Sequence, residues 1–133
     1  MTTKKTSKKE PVFDFRTIKT FEDACKKENY DPKNVPDVSM IPEDLGKAII
    51  GLFKTMMFIK AVNNGWKARM GDETQSKYYP YAWVLSSGLG FSYAYYFYVN
   101  TFTSVGSRLC TDTSEKALYI FEKCKEHYQD WML

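Results

Sequence analysis

Three cysteines and one histidine are the side chains of this sequence best suited to nucleophilic or metal chemistry. Cys25, Cys110 and Cys124 are odd in number and show no C-x-x-C spacing, and His127 is the single histidine. Structural zinc sites need clustered thiolate and imidazole ligands, so this scattered set predicts no metal site. Arg108 precedes Cys110 on the same side of a predicted strand, where its charge would lower the thiol pKa. No base accompanies the pair, so a small Cys-dependent enzyme is an alternative rather than the leading prediction.

Neither a phosphate-binding loop nor a pair of catalytic carboxylates is evident in the sequence. The SGLG segment at 87–90 lacks the third glycine and the lysine of a phosphate loop, and it is typical of a hairpin turn. The acidic residues instead cluster where helices are expected to begin, as at Glu43 and Asp44, and helix capping explains them there. The sequence therefore predicts no catalytic residue, no cofactor and a protein that is not an enzyme.

A run of aromatic residues between positions 77 and 100 suits a different chemistry, contact through ring faces. Single-stranded nucleic acids bind aromatic platforms that positive charges flank. Tyr and Trp are also enriched at protein interfaces, where they bury a large apolar area and still offer a polar atom. Half-buried tyrosines whose hydroxyls reach water are a third interpretation, and the sequence leaves all three open. The candidate binding residues are Lys77, Tyr78, Tyr79, Trp83, Tyr96, Tyr98 and Arg108.

Positive charge is concentrated in the first ten residues. Lys4, Lys5, Lys8 and Lys9 accompany a single acid there, Glu10, whereas the other 15 basic and 15 acidic residues of the chain balance. Proteins dedicated to duplex DNA usually carry their basic excess as a patch on the fold. We therefore predict a disordered basic tail over residues 1–11, either a solubilising extension or an electrostatic arm, before a single domain over residues 12–133.

The composition is that of a folded protein without a membrane span. Of 133 residues, 44% are hydrophobic and 17% are aromatic, and a chain of this length can bury a core. The most apolar stretch, residues 48–62, is interrupted by Gly51, Lys54 and Lys60, so it falls short of the ~18 apolar residues of a spanning helix. No apolar segment follows the N-terminal lysines, so no secretory signal is predicted. These features predict a cytoplasmic protein with no membrane partner.

Helix signals occur in three places along the chain. The TFED segment at 20–23 is a capping box, and DTSE at 112–115 is a second capping signature. Between them, PED at 42–44 opens the longest helix, and NNG at 63–65 closes it with a left-handed cap. The spacing of apolar residues in that helix predicts an inner face that includes Leu45 and Ile49, with Gly51 and Phe58 on the polar side.

Between the second and third helices the apolar pattern changes to a period of two. Lys77–Leu85, 91–100 and 101–110 are predicted strands, the third with a bulge at Gly106. The fold class is therefore α+β in the order α-α-β-β-β-α, a three-stranded antiparallel β-meander that helices cover on one face. Alternation in the second strand leaves Tyr96 and Tyr98 on the face opposite the one assigned to the core, which comprises Phe91, Tyr93, Tyr95, Phe97 and Val99.

Four segments resemble a family of small proteins encoded by phages, prophages and mobile elements of gut Bacteroidetes, including crAss-like phages. These segments are TFEDAC (20–25), NNGW (63–66), KYYPYAWVLSSGLGFS (77–92) and VGSRLCTDTSEKALY (105–119). The resemblance covers nearly all of residues 15–133. It departs at Tyr81-Ala82, where Trp-Phe is usual, and at Thr111, where Phe is usual. It implies a phage or prophage source and a location in the host bacterial cytoplasm or on the virion, but no chemistry.

The leading prediction is a non-enzymatic phage-encoded interaction protein that binds a virion or host protein, or a second copy of itself, through an aromatic sheet face. The alternative is an accessory single-stranded nucleic-acid-binding protein that stacks bases on the sheet and uses the lysine-rich tail as an electrostatic arm.

Overall fold

The computed structural model describes residues 12–97 and 106–133, and it describes side chains in these ranges except those of residues 91–97. Within this part of the chain the fold is α+β, with three α-helices and a two-stranded antiparallel sheet. None of these helices is long and apolar enough to cross a membrane. The elements are α1 (Phe21–Lys27), α2 (Glu43–Asn63), β1 (Lys77–Leu85), β2 (Gly88–Phe97) and α3 (Ser114–Met132), with short 3-10 helices at Phe15–Thr17 and Ser107–Leu109.

The predicted three-stranded meander is wrong. Residues 101–105 lie outside the described residues, and the rest of the predicted third strand is not extended beside β2. Gly106 has a φ of +72°, and the chain then turns into the 3-10 helix at Ser107–Leu109. Thr111 alone forms a bridge, and its partner is Tyr78 of β1. Since Tyr78 also pairs with Tyr96, Thr111 occupies the edge of β1 opposite β2, where no meander would place it.

The ends of the helices confirm the local signals in the sequence. At the start of α1, the Asp23 N–H donates to the Thr20 hydroxyl at 3.1 Å, and the Thr20 N–H donates to the Asp23 carboxylate at 3.2 Å. Thr113 caps α3 by accepting from the Lys116 N–H at 3.2 Å. At the end of α2, Asn64 is left-handed with a φ of 46°. Each of these contacts spans only a few residues, so short sequence patterns specify it.

The face that α2 turns toward the core differs from the apolar face predicted by residue spacing. Leu45 is 55% exposed and Ile49 is 40% exposed, whereas Phe58, expected on the polar side, is 1% exposed. Gly51 and Thr55 are buried instead, and they face α3. Small residues let two helix backbones approach closely, so the helix buries the side that carries Gly51.

The core lies between α2, α3 and the hairpin, which contributes Leu89 and Ala82 from positions close to its turn. Tyr119 of α3 connects the N-terminal segment to this core. The centroids of the Tyr119 and Phe15 rings are 5.2 Å apart, and the Tyr119 hydroxyl donates a hydrogen bond to the Ile18 carbonyl. The buried cluster comprises Ile18, Ala24, Phe58, Ile59, Ala61, Val62, Leu89, Ile120, Phe121, Cys124 and Tyr128. This core holds β1 and β2 against α3 and so fixes which parts of the hairpin remain in solvent.

Candidate interaction surface

Lys77, predicted as a cation flanking the aromatic surface, is fully buried at the start of β1. Its ammonium group donates to the backbone carbonyls of Asp72 and Gln75, each at 2.9 Å. Both acceptors belong to the turn that precedes the strand, and Asp72 is held there by hydrogen bonds from Arg69 at 2.8 and 2.9 Å. Lys77 therefore closes a turn from the inside and does not present its charge to a ligand.

Tyr78, Tyr79 and Trp83 do not share one face of the sheet. Side chains alternate along a strand, and Ala82 packs against the core, so Tyr78 belongs to the core-facing row and Tyr79 and Trp83 belong to the outer row. Tyr79 is half-buried, whereas Trp83 is 62% exposed. The structure thus brings Tyr79 and Trp83 to one surface and places Tyr78 on the other.

The turn end of the hairpin carries four exposed apolar side chains, which we call the hairpin tip; three of them lie in the outer row, and Val84 lies in the row of Ala82. Tyr81, Trp83, Val84 and Leu85 are 50%, 62%, 67% and 53% exposed. Trp83 and Val84 follow Ala82, the last residue of β1 that packs on the core. Soluble proteins seldom leave such apolar residues close together in solvent unless the surface serves contact.

The local sequence helps to explain why side chains of the hairpin tip are exposed. Gly88, which pairs with Leu85 across the two-residue turn, has a φ of +122° that favours glycine. The strand register shifts between Ala82 and Val84, and such irregularities twist a hairpin and redirect its side chains. Leu89 is buried at 3% exposure opposite Val84. Leu89, after the turn, is therefore anchored in the core, whereas Val84, before the turn, remains exposed.

The other predicted binding residues either lie away from the hairpin tip or have side chains outside the described part of the chain. Tyr96 pairs with Tyr78 in the sheet, but its side chain falls outside the described residues. Tyr98 and the tail lysines, which are Lys4, Lys5, Lys8 and Lys9, lie outside them altogether. Arg108 is exposed on the second 3-10 helix and lines an open groove at the C-terminal end of α2, beside the start of β1 and not at the hairpin tip.

The thiols are placed unfavourably for nucleophilic chemistry. Cys25, Cys110 and Cys124 are all buried. Burial raises the pKa of Cys110 to about 11, and the nearby Lys77 opposes this only in part. Burial also raises the pKa of Cys25 and of Cys124 and lowers the pKa of half-buried His127. A buried neutral thiol is a poor nucleophile at neutral pH.

Metal binding finds no geometric support among the described residues. Within ranges 12–97 and 106–133, no group of three or more His, Cys, Asp and Glu side chains is arranged to hold a metal ion.

Sequence reasoning identified Trp83 but missed its neighbours Tyr81, Val84 and Leu85. The sequence does contain a signal for these exposed residues. A nearly unbroken apolar run leads directly into the Ser86-Ser87 turn, although polar residues are usual around a turn. It also missed the groove beside Arg108, because its walls come from two segments, 53–68 and 107–108, that are far apart in the sequence.

Comparison of the chain with protein-family models, with curated protein sequences and with solved structures found no match.

Proposed function

We propose that this protein is a non-enzymatic interaction protein that binds another protein through the hairpin tip. The observation that carries the proposal is the exposure of Trp83 and Val84, at 62% and 67%, on a strand whose other end is buried in the fold. Trp and Tyr are the commonest energetic centres of protein interfaces. A rigid two-stranded scaffold also presents them without a large loss of conformational entropy on binding.

The partner we propose is a virion component or a host bacterial protein. The support for this is the resemblance of residues 15–133 to small proteins of Bacteroidetes phages, which would place the protein in infected cells or on virions. The hairpin tip contains no charged residue. Its partner should therefore offer a mainly apolar pocket or groove, with polar groups only at the rim.

Binding of single-stranded nucleic acid is the alternative that the same surface must be tested against. Tyr79, Tyr81 and Trp83 share the outer row of β1 and could stack bases. However, the ammonium group of Lys77 is bound to backbone carbonyls, and Arg108 lines the separate groove. Neither Lys77 nor Arg108 therefore supplies the flanking charge that was expected of them, and the protein-binding function is better supported.

The decisive experiment compares capture by the wild type and by a variant of the hairpin tip. Wild-type protein, Trp83→Ser/Val84→Ser and the control Val12→Ser are immobilised and exposed to lysates of phage-infected Bacteroidetes cells and to disrupted virions. Val12 is 94% exposed, so the control removes an exposed apolar side chain far from the hairpin along the chain. The bound proteins are quantified by mass spectrometry, and the candidate partner is then purified and titrated.

We expect a partner that is retained by the wild type and by the control but is lost with the double variant. Retention of the same partner by all three proteins would refute the hairpin tip as the binding surface. In parallel, fluorescence anisotropy with single-stranded oligonucleotides at about 50 mM salt tests the alternative, because counterion release makes nucleic-acid binding strongest at low salt. Tight binding there that the double variant abolishes would favour the nucleic-acid function instead.

A further inference from the structure

A groove at the C-terminal end of α2 combines an apolar floor with unpaired positive charge. We call it the basic groove. Its volume is about 580 Å³, and Met56, Met57 and Trp66 contribute apolar side chains to it. Lys60 and Lys67 from α2 and the following turn line it, and Arg108 reaches it from the second 3-10 helix. None of the described residues that line the groove is a carboxylate, so the charge that they contribute is positive.

The three cations of the basic groove have no partner within the described part of the chain. All three residues are exposed, and none takes part in the ion pairs of the described residues. The basic groove is therefore suited to a ligand that combines apolar side chains with at least one carboxylate.

Asn63 forms part of the groove wall without offering it a reachable polar atom. It is 8% exposed, and its side-chain amide donates to the Cys110 carbonyl at 2.8 Å. Its side-chain oxygen Oδ1 is buried and has no partner among the described residues. The polar character of the basic groove therefore comes from its three cations.

The opposite end of α2 carries a surface with the matching chemistry, which we call the acidic ridge. It consists of Met40, Ile41, Glu43, Asp44 and Leu45. Met40 is 95% exposed and Leu45 is 55% exposed, with Ile41 at 36%. Glu43 and Asp44 are exposed and, like the cations of the groove, belong to none of the ion pairs of the described residues.

The start of α2 lacks a side-chain cap. Pro42 is the N-cap of α2, and no side chain caps this end of the helix. The acidic ridge therefore offers two carboxylates that complement the three cations of the basic groove, and apolar side chains that suit its apolar floor.

We infer that the acidic ridge of one copy of this chain docks into the basic groove of a second copy. One molecule cannot satisfy its own groove, because the two surfaces lie at opposite ends of the 21-residue α2, roughly 30 Å apart. Glu43 and Asp44 of one copy face Lys60, Lys67 and Arg108 of the next, and Met40 and Leu45 enter the apolar floor. Such head-to-tail contacts build rings or open chains and not closed symmetric dimers.

Two other surfaces of the same chain fit the basic groove less well. The hairpin tip is apolar but carries no acid. Asp130, near the end of α3, is already paired with Lys47 at 3.5 Å. This self-association uses none of the residues of the hairpin tip, so it is independent of the interaction proposed above. A Trp83→Ser/Val84→Ser variant should self-associate as the wild type does.

Sedimentation velocity of the full chain from about 5 to about 500 µM tests the inference, because small interfaces associate in this range. Three proteins are compared with the wild type: the ridge variant Glu43→Lys/Asp44→Lys, the groove variant Lys67→Glu/Arg108→Glu, and the control Lys33→Glu/Glu73→Lys, which reverses two exposed charges elsewhere without changing the net charge. All the substituted residues are exposed, and circular dichroism confirms that each variant is folded.

The wild type and the control should form oligomers whose average mass rises with concentration and falls when salt is increased from about 50 to about 500 mM. The ridge variant and the groove variant should each be weakened more than about tenfold, because like charges then meet at the contact. Mixed together, these two variants should associate again, because the intact ridge of the groove variant meets the intact groove of the ridge variant and the two reversed surfaces also carry opposite charges.

Three results would overturn the inference. The first is a wild type that stays monomeric throughout the concentration range. The second is an oligomer that neither reversal weakens. The third is a mixture of the two variants that associates no more strongly than either variant alone although each partner is folded.

Discussion

Gly51 of α2 lies directly against Asp130 of α3, and a β-carbon added to Gly51 would stand 2.6 Å from the β-carbon of Asp130 and 2.9 Å from the His127 carbonyl oxygen. One turn further along α2, Thr55 donates to the Gly51 carbonyl at 2.9 Å and accepts from the Trp131 indole N–H at 3.3 Å. Gly51 therefore allows α2 and α3 to pack closely here, because it has no side chain. This contact decides which face of α2 is buried.

Replacing Gly51 with Ala should destabilise the protein. Alanine favours a helix over glycine by about 1 kcal/mol, but here the new methyl group would collide with backbone as well as side-chain atoms of α3. Overpacking of this kind costs about 1–3 kcal/mol, so we expect a net loss in the free energy of unfolding measured in urea. The exposed control Lys60→Ala should change it by less than about 0.5 kcal/mol. A neutral or stabilised Gly51→Ala protein would show that α2 and α3 are not so close.

Replacing Lys77 with Met should lower stability by about 1–3 kcal/mol. The change keeps most of the apolar stem of this buried residue but leaves the Asp72 and Gln75 carbonyls without its ammonium donor. Lys26→Met, on the exposed side of α1, is the matched control, and the free energies of unfolding in urea are compared. If Lys77→Met is as stable as the control, Lys77 is exposed and again becomes a candidate surface cation.

The buried thiols should make stability sensitive to alkaline pH. Burial raises the pKa of Cys110 from 9.0 to about 11 and raises that of Cys124 as well. The pKa of the thiol is higher in the folded state than in the unfolded chain, so the buried neutral thiol contributes to the free energy of unfolding. This contribution is fully present at pH values below the pKa of the unfolded chain, near 9. That contribution is lost as the pH rises from there toward the folded value.

We therefore expect the free energy of unfolding to fall more steeply above about pH 9 in the wild type than in Cys110→Ala. Urea titrations at a series of pH values, under reducing conditions, measure this difference. Equal slopes for the two proteins would mean that Cys110 is accessible and ionises in the folded state as it does in the unfolded chain. In that case the Cys-dependent enzyme would regain support.

Trp83→Ala should leave stability almost unchanged although it removes the largest side chain of the hairpin tip. Trp83 is 62% exposed, and substitutions at exposed positions usually change the free energy of unfolding by less than about 0.5 kcal/mol. Phe121→Ala is the buried comparison, since Phe121 is 6% exposed, and it should cost about 3–5 kcal/mol. Thermal unfolding followed by circular dichroism distinguishes the two. A loss of similar size at Trp83 would mean that its ring is covered by the fold and is not available to a partner.

The candidate site could be predicted only in part, for reasons that are visible in β1. An aromatic and apolar strand running into the SGLG segment at 87–90 indicated a hairpin, and Trp83 was recognised within that strand. The turn is shorter than predicted, because β2 already begins at Gly88. The sequence did not distinguish Lys77, which is fully buried, from Trp83, which projects into solvent. Lys77 is buried because the turn that contains Asp72 and Gln75 folds over the start of β1. No residue pattern within β1 indicates that contact.

The sequence alone determined the helix ends, because caps such as Thr20, Thr113 and Asn64 depend on backbone groups within a few residues. It also determined that β1 and β2 form a hairpin. Only the tertiary structure decided that α2 buries Gly51 and Phe58 while leaving Leu45 exposed, and that Thr111 meets β1 in place of a third strand beside β2. Close helix packing outweighed apolar periodicity in the first case. In the second, the positive φ of Gly106 leads the chain into the 3-10 helix at Ser107–Leu109, so this part of the predicted third strand is not extended.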